Sequence, residues 1–188
     1  PRELEYEVLA PMLTELGLSA SPRWVPSTQI PAGAVIRIDP PGGRMVEPGS
    51  EVSLEISTGP ASDVYRGIVS RGSLRVGIGS QSGLSVDETG AFSGSSIDAL
   101  FEAIRRLTGE SVAIEYLVPT AAERYAIIQA GDVDMLLNGT TRLPDEIPGV
   151  VEILFAIDGE TQVIVVRSPG FAAEFEPNLL QAIIDLDL

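Results

Sequence analysis

Residues 34–59 read AVIRIDPPGGRMVEPGSEVSLEISTG, and this stretch decides the fold of the first part of the chain. Apolar and polar residues alternate in AVIRID and again in EVSLEIS, a pattern typical of strands with one buried face. The intervening DPPGGRMVEPGS is rich in proline and glycine, which favour turns because proline fixes φ and glycine permits positive φ. The stretch therefore predicts two strands joined by a rigid turn.

A helix is predicted upstream of these strands. Its apolar face comprises Val8, Leu9, Met12, Leu13 and Leu16. Gly17 is placed to end this helix, and Pro11 predicts that the regular part begins near it, because proline is tolerated in a first helical turn. The first segment is thus predicted to be a small α+β module with one helix on a small sheet.

The same segment resembles the PASTA module, which occurs outside the membrane on penicillin-binding proteins and bacterial serine/threonine kinases. The resemblance covers residues 4–59 and lies in GLSAS and in these positions: Asp39, Pro40, Pro41, Gly42, Val46, Gly49, Ser50, Ser57, Thr58 and Gly59. It implies one helix on a three-stranded sheet, an extracytoplasmic location and contact with peptidoglycan. Arg23, Trp24, Arg37 and Arg44 are candidates for contact with a glycan or anionic surface; the alternative for Trp24 is partial burial in a small core.

A change of composition separates this segment from the rest of the chain. In STGPASDVYRGIVSRG, residues 57–72, glycine, serine and charge replace the apolar periodicity. We therefore predict a module at 1–59, a linker at 60–72 and a second domain at 73–188.

The second domain alternates strands with helices. LRVGIGS, VAIEYLV, VDMLLN and VIVVR predict strands, while helical spacing runs from Ile97 to Leu107 before Gly109, through AAERYAIIQ before Gly131, and along the tail NLLQAIIDLDL. This alternation predicts an α/β sheet with mostly parallel strands. Ligands of such sheets bind on the loops at the carboxyl ends of the strands.

Residues 73–167 are similar to the first lobe of type 2 periplasmic solute-binding proteins of the polar amino-acid family. The similarity rests on LRVGIGS, GSSIDALFEAIRRLTG, Arg124 with IIQAGDVDMLLNGTT, and FAIDGETQVIVVR, in that order. It implies that a ligand would meet Asn138, Gly139, Thr140 and Thr141. Further candidates for ligand contact are Arg142 on the same loop, Phe92 after the first strand and Arg124 at the start of a helix. A second lobe of roughly another hundred residues, which the family uses to close its cleft, is expected elsewhere or is missing.

Each candidate has an alternative role. Thr141 and the acids Asp145 and Glu146 could cap a helix, Phe92 could pack on a neighbouring helix, and Arg124 could form a solvated pair with Glu123 or Glu115. Glu146 stands where the family carries an arginine that clamps a ligand carboxylate, so it would repel such a ligand.

Composition excludes several classes of function. The 27 acidic and 12 basic residues give a formal charge of −15, which repels nucleic acid. All twelve cations are arginine, and histidine, cysteine and lysine are absent, which excludes Ser/His/Asp and Cys/His nucleophiles and the usual zinc sites. We expect no enzymatic activity and no cofactor or metal. Two acidic pairs are expected in solvent: Asp132 with Asp134, and Asp185 with Asp187.

No apolar run approaches the roughly 20 residues of a membrane span, so no membrane insertion is predicted for this segment. The leading hypothesis is an extracytoplasmic binding and sensing region of a longer membrane-anchored or secreted protein, such as the ectodomain of a PASTA-type kinase. Its partners would be peptidoglycan fragments or a small polar ligand. The alternative is a structural or assembly module whose lobe docks a protein partner or a second copy.

Overall fold

The computed structural model describes residues 4–79, 84–86, 88, 92–109, 112–137, 142, 147–157 and 159–188. The chain divides into two compact units, Pro1–Ala61 and Ser62–Leu188. None of the helices in these described ranges is long and apolar enough to cross a membrane.

The first unit is one helix on a three-stranded sheet, as predicted. Helix α1 (Tyr6–Glu15) precedes strands β1 (Ser19–Val25), β2 (Val35–Asp39) and β3 (Glu51–Ser57). The sheet order is β1-β3-β2, with β3 parallel to β1 and antiparallel to β2. The central strand β3 therefore supplies most of the buried side chains of this unit.

The core of the first unit is smaller than the helical pattern predicts. Leu13 is buried against Val52, Leu54 and Ile56 of β3, and Leu9 packs partly against them. The other three apolar residues of the predicted face are exposed: Val8, Met12 and Leu16. Three short strands cover only a narrow strip of a helix, so a wide apolar face remains partly in solvent.

Two further expectations for this unit have different outcomes. Trp24 packs partly buried on the core, and its ring lies edge-on to Tyr6 with centroids 5.3 Å apart. The predicted start of the helix at Pro11 is wrong, because α1 begins at Tyr6 and Pro11 lies inside it. The amide of Tyr6 donates to Gly33 O at 3.0 Å, which fixes this earlier start.

The second unit contains five strands of one sheet, a two-stranded ribbon and four helices within the described ranges. In chain order these are α2 (Asp63–Arg71), β4 (Ser73–Ile78), β5 (Ser85–Val86), β6 (Phe92–Ser93), α3 (Ser95–Thr108), β7 (Ala113–Leu117), α4 (Arg124–Ala130), β8 (Met135–Leu137), β9 (Val150–Ile157), β10 (Glu160–Arg167) and α5 (Pro169–Asp185). This is the α/β architecture that the alternating pattern predicts.

The main sheet has the order β7-β4-β8-β10-β9. Strand β4 is parallel to both β7 and β8, whereas β10 is antiparallel to β8 and β9. Four strands thus run one way and β10 runs the other. The carboxyl ends of β4, β7 and β8 lie at the same end of the sheet, which we call the carboxyl edge. The opposite end, where these three strands begin, is the amino edge.

Helices cover both faces of this sheet. The core on one face includes side chains of α2, α3 and α5, and the smaller core on the other face includes Ile128 of α4. Gly77 of β4 lies under α4, and a Cβ at this position would come within 2.4 Å of Leu136 Cδ2. A larger residue there would force the buried Leu136 side chain to shift.

The predicted linker at 60–72 is wrong for most of its length, because the structure has helix α2 there. Ser62 begins the helix by accepting from the amide of Tyr65 at 3.1 Å, and Gly72 ends it at φ 72°. Val64 and Ile68 are buried in the core of the second unit. A helix with only two buried apolar residues has a polar composition, which is why the segment resembles a linker.

Candidate functional site

The predicted site residues belong to the segments that follow β4, β7 and β8 in the chain, and the carboxyl ends of these strands meet at the carboxyl edge. Gly79, just after β4, donates its amide to Leu137 O at the end of β8, at 2.9 Å. The segments that follow β4 and β8 therefore start side by side. Phe92 follows β4 in the chain, Arg124 follows β7, and Arg142 follows β8. That Phe92, Arg124 and Arg142 contact one ligand at this edge stays a prediction.

Phe92 packs within the protein at this edge. Its ring centroid lies 5.0 Å from that of Tyr116 on β7, with the planes tilted by 54°. Both rings are half-buried against the larger core. Burial raises the pKa of Tyr116 above its usual value, so the phenol remains protonated at neutral pH. The pair offers one aromatic surface and one neutral hydroxyl at the end of a strand.

Arg124 begins α4, directly after the loop that follows β7. Its guanidinium carbon lies 4.8 Å from the centroid of the Tyr125 ring, a cation–π geometry. Glu123 accepts from the hydroxyl of Thr120 at 2.7 Å and from its amide at 3.1 Å. These bonds, led by that from the hydroxyl, hold the pKa of Glu123 below its usual range. Glu123 therefore stabilises the turn that positions Arg124.

Arg142 is held by an ion pair. Its Nε and Nη2 each lie 2.9 Å from Glu152 Oε2 on β9, although the arginine side chain remains 64% exposed. The other predicted contacts after β8 are Asn138, Gly139, Thr140 and Thr141, and they lie outside the described residues. The same holds for Asp145 and Glu146.

A second charged group occupies the amino edge, where no ligand site was predicted. Asp134 precedes β8 and is fully buried, at 0% exposure. Its Oδ2 accepts from Arg71 Nη2 at 2.5 Å and from the amide of Arg75 at 2.9 Å, and its Oδ1 accepts from Arg75 Nη2 at 3.0 Å. Arg167 Nη2 lies 4.0 Å from the same Oδ1. We call Arg71, Arg75 and Arg167 around Asp134 the arginine cluster.

The expectation that Asp134 lies in solvent is therefore wrong. A buried carboxylate needs compensating donors, and β4 and the end of α2 supply them. Asp185 is also engaged, because Arg106 of α3 donates to it. Sequence reasoning missed the arginine cluster since its members are distant along the chain and no local motif links them. Only the strand order places them together.

Solved structures similar to this chain are solute-binding domains and proteins. Domain 1 of TmArgBP in its arginine-bound form has 24% identity and a TM-score of 0.49, with 64% of this chain and 99% of that chain covered. For the P235GK mutant of ArgBP from T. maritima the identity is 24%, the TM-score 0.38 and the coverage 48% and 38%. A periplasmic binding protein from Brucella ovis with glutathione bound has 23% identity and a TM-score of 0.41, and the match covers 48% of this chain and 29% of that chain.

No curated protein matches the chain. Its first unit, in contrast, has a family match over almost its whole length. Residues 2–58 match the family model of the PASTA domain, so the first unit carries the PASTA domain that its sequence predicted.

Proposed function

We propose that this chain is the binding and sensing region of a membrane receptor, such as a PASTA-type serine/threonine kinase. The observation that carries the proposal is the family match over residues 2–58, together with the single helix and three-stranded sheet of that unit. In this proposal the first unit contacts peptidoglycan. The second unit binds a small polar ligand at its carboxyl edge.

The second part of the proposal rests on the geometry of the sheet. The ends of β4 and β8 are joined by the bond from Gly79 to Leu137, and the aromatic pair of Phe92 and Tyr116 lies at the end of β7. Loops at the carboxyl ends of parallel strands are the usual place for a ligand in such sheets. An aromatic face and a phenol there suit a ligand with both apolar and polar parts.

We also propose that the chain is not an enzyme. It contains no histidine, cysteine or lysine, so its acid–base and nucleophilic chemistry is restricted to carboxylates, tyrosine and hydroxyls. Assays for turnover of bound ligands test this directly. Turnover that is abolished by one substitution of Asp or Glu would refute it.

Wall contact is tested by co-sedimentation of the full chain with purified peptidoglycan. Arg37 and Arg44 are exposed on the first unit, so the double change Arg37→Glu and Arg44→Glu should reduce the bound fraction if they meet an anionic surface. Arg66→Glu, an exposed arginine of α2, is the matched control for charge reversal. A wild-type chain that stays in the supernatant contradicts the proposed wall contact.

Ligand binding is tested by calorimetry with amino acids, small peptides and muropeptide fragments. Phe92→Leu should weaken the affinity several-fold, because an aromatic contact is worth about 1 kcal/mol. Phe101→Leu, an exposed phenylalanine on α3, is the matched control. Absence of heat with every ligand would remove small-ligand binding from the proposal and leave wall contact untouched.

A second candidate function is protein docking or dimerisation, and the surface of α3 and α5 favours it. The two helices lie side by side, linked by Arg106 and Asp185. Large apolar side chains are exposed on them and on the residues after α5: Phe101, Leu180, Ile184 and Leu186. A depression of about 500 Å³ lies between Phe101, Arg105 and Leu188. Exposed apolar patches of this kind mark interaction surfaces.

Sedimentation velocity over a range of concentrations tests the docking surface. Ile184→Asp should abolish any concentration-dependent association, because a charge would have to be buried in the contact. Val69→Asp, an exposed apolar residue of α2, is the control. A monomer at all concentrations, with no protein captured by the wild-type chain, counts against this candidate.

A further inference from the structure

The arginine cluster carries more positive charge than its one carboxylate neutralises. Three guanidinium groups lie within 4.0 Å of Asp134, so the cluster contains three positive charges and one negative charge. One bidentate arginine already satisfies a carboxylate. The cluster therefore retains a net charge of +2 in a chain whose formal charge is −15.

Arg167 is the least satisfied member. Its ion pair with Asp134 is 4.0 Å long, beyond hydrogen-bond distance, and its Nε is buried without an acceptor among the described residues. The guanidinium lies close to the backbone of Gly131, where an added Cβ would come within 2.9 Å of Nη1. The glycine thus leaves the room that this guanidinium occupies.

The three arginine side chains of the cluster are partly open to solvent. The side chains of Arg71, Arg75 and Arg167 are 33%, 26% and 37% exposed, whereas the Asp134 side chain is 0% exposed. An anion from solution can reach the guanidinium groups, and the buried carboxylate fixes two of them in place. Fixed donors bind an anion without a further loss of side-chain entropy.

Within the described residues, the arginines of the cluster form ion pairs with no acid other than Asp134. Glu115 is the register partner of Arg75 on β7, but no ion pair joins the two in the described part of the chain. Glu152 shares its face of the sheet with Arg167 and is engaged by Arg142. Asp132 is exposed and stands two residues before Asp134 in the chain.

We propose that the arginine cluster binds a phosphate group at the amino edge of the sheet. Phosphate with two negative charges matches the excess of +2, and its tetrahedral oxygens can be shared among several guanidinium forks, whereas a single carboxylate matches only one fork. The site is independent of the proposed ligand site at the carboxyl edge. Failure of one therefore says nothing about the other.

The test is a titration of the full chain with inorganic phosphate, followed by ¹H–¹⁵N spectra of backbone and arginine Nε signals. We expect saturable shifts at residues 75, 134 and 167. Arg167→Gln should weaken the affinity about tenfold, because one charge-assisted hydrogen bond is lost. Arg167→Lys keeps the charge but lacks the planar fork of donors, so its affinity for phosphate should lie between those of the wild type and Arg167→Gln. Arg66→Gln is the control for loss of one positive charge.

Two further titrations test the kind of phosphate ligand and the dependence of binding on its charge. O-phosphoserine distinguishes a phosphoester ligand from free phosphate, and its binding should be stronger at about pH 8 than at about pH 5.5, on either side of its second pKa near 6. The chain has no histidine, so few of its own groups titrate in this range. The proposal is overturned if phosphate causes no shifts, if acetate or chloride at equal ionic strength binds as tightly, or if Arg167→Gln binds like the wild type.

Discussion

At the scale of single residues, Asp134 is the position most sensitive to a change of charge. Asp134→Asn keeps the shape of the side chain but leaves three guanidinium groups without their counter-charge. We expect the free energy of unfolding in urea to fall by about 3 kcal/mol or more. Asp132→Asn, two residues earlier and exposed, should change it by less than about 0.5 kcal/mol. Equal losses in the two variants would show that the arginine cluster contributes nothing specific.

Gly77 is sensitive for a steric reason. Gly77→Ala would place a methyl group 2.4 Å from Leu136 Cδ2, so we expect a loss of about 1–3 kcal/mol in the free energy of unfolding. The double variant Gly77→Ala and Leu136→Ala should lose less than the two single changes added together, since the second change removes the clash. Gly42→Ala, which meets no atom within 4 Å, is the control. Additive losses would contradict the contact.

Single residues also show where sequence reasoning succeeds and where it stops. Trp24 in a small core follows from its size and from the strands around it, and the structure agrees. The prediction for Asp134 fails because its partners stand at positions 71, 75 and 167. Contacts between residues so far apart in the sequence depend on the order of the strands, which no local pattern indicates. Of the seven predicted ligand contacts, the three described ones pack or pair within the protein.

At the scale of elements, Glu174 links α5 to the start of α2. It is buried, and its carboxylate accepts from the amide and the hydroxyl of Ser62 at 2.5 and 2.6 Å. Burial raises the pKa of Glu174 above its usual value, and the bonds from Ser62 oppose this only partly. The folded chain therefore holds this proton more tightly than the unfolded chain does.

That difference predicts a dependence of stability on pH. With a raised folded pKa, the stabilising contribution is present below the unfolded value and is lost as pH rises through the folded pKa. We expect Glu174→Gln to gain stability relative to the wild type in urea titrations as pH rises above about 4, the range in which a free glutamate ionises. Glu176→Gln removes an exposed carboxylate of the same helix and is the control. A loss of stability of Glu174→Gln relative to the wild type with rising pH would contradict the raised pKa.

Elements were predictable where their pattern is periodic. The apolar spacing before Gly109 predicts α3, and the apolar run VIVVR predicts β10. Strand β1 contains Pro22, which weakens a strand pattern and is tolerated because β1 lies at a sheet edge. Helix α2 carries few apolar residues, yet Ser62 before it and Gly72 after it are the signals that mark helix ends.

At the scale of the whole molecule, the charge of −15 predicts a response to salt. Self-repulsion of a highly charged chain destabilises the compact state, and screening relieves it. Raising sodium chloride from about 10 mM to about 150 mM shortens the Debye length from about 30 Å to about 8 Å, so we expect Tm to rise by about 2–4 °C. Potassium bromide at the same concentration should raise Tm by the same amount if screening is the cause. A fall of Tm would show that exposed ion pairs outweigh the repulsion.

The helix found in place of a linker determines where the second unit can be cut. A fragment that starts at residue 73 would lose Val64 and Ile68 from the core and would leave Glu174 buried without either of its donors. A fragment that starts before Ser62 keeps all three features. Limited proteolysis between the units should accordingly cleave ahead of Ser62 and spare the residues of α2, which a composition-based boundary would have exposed to the protease.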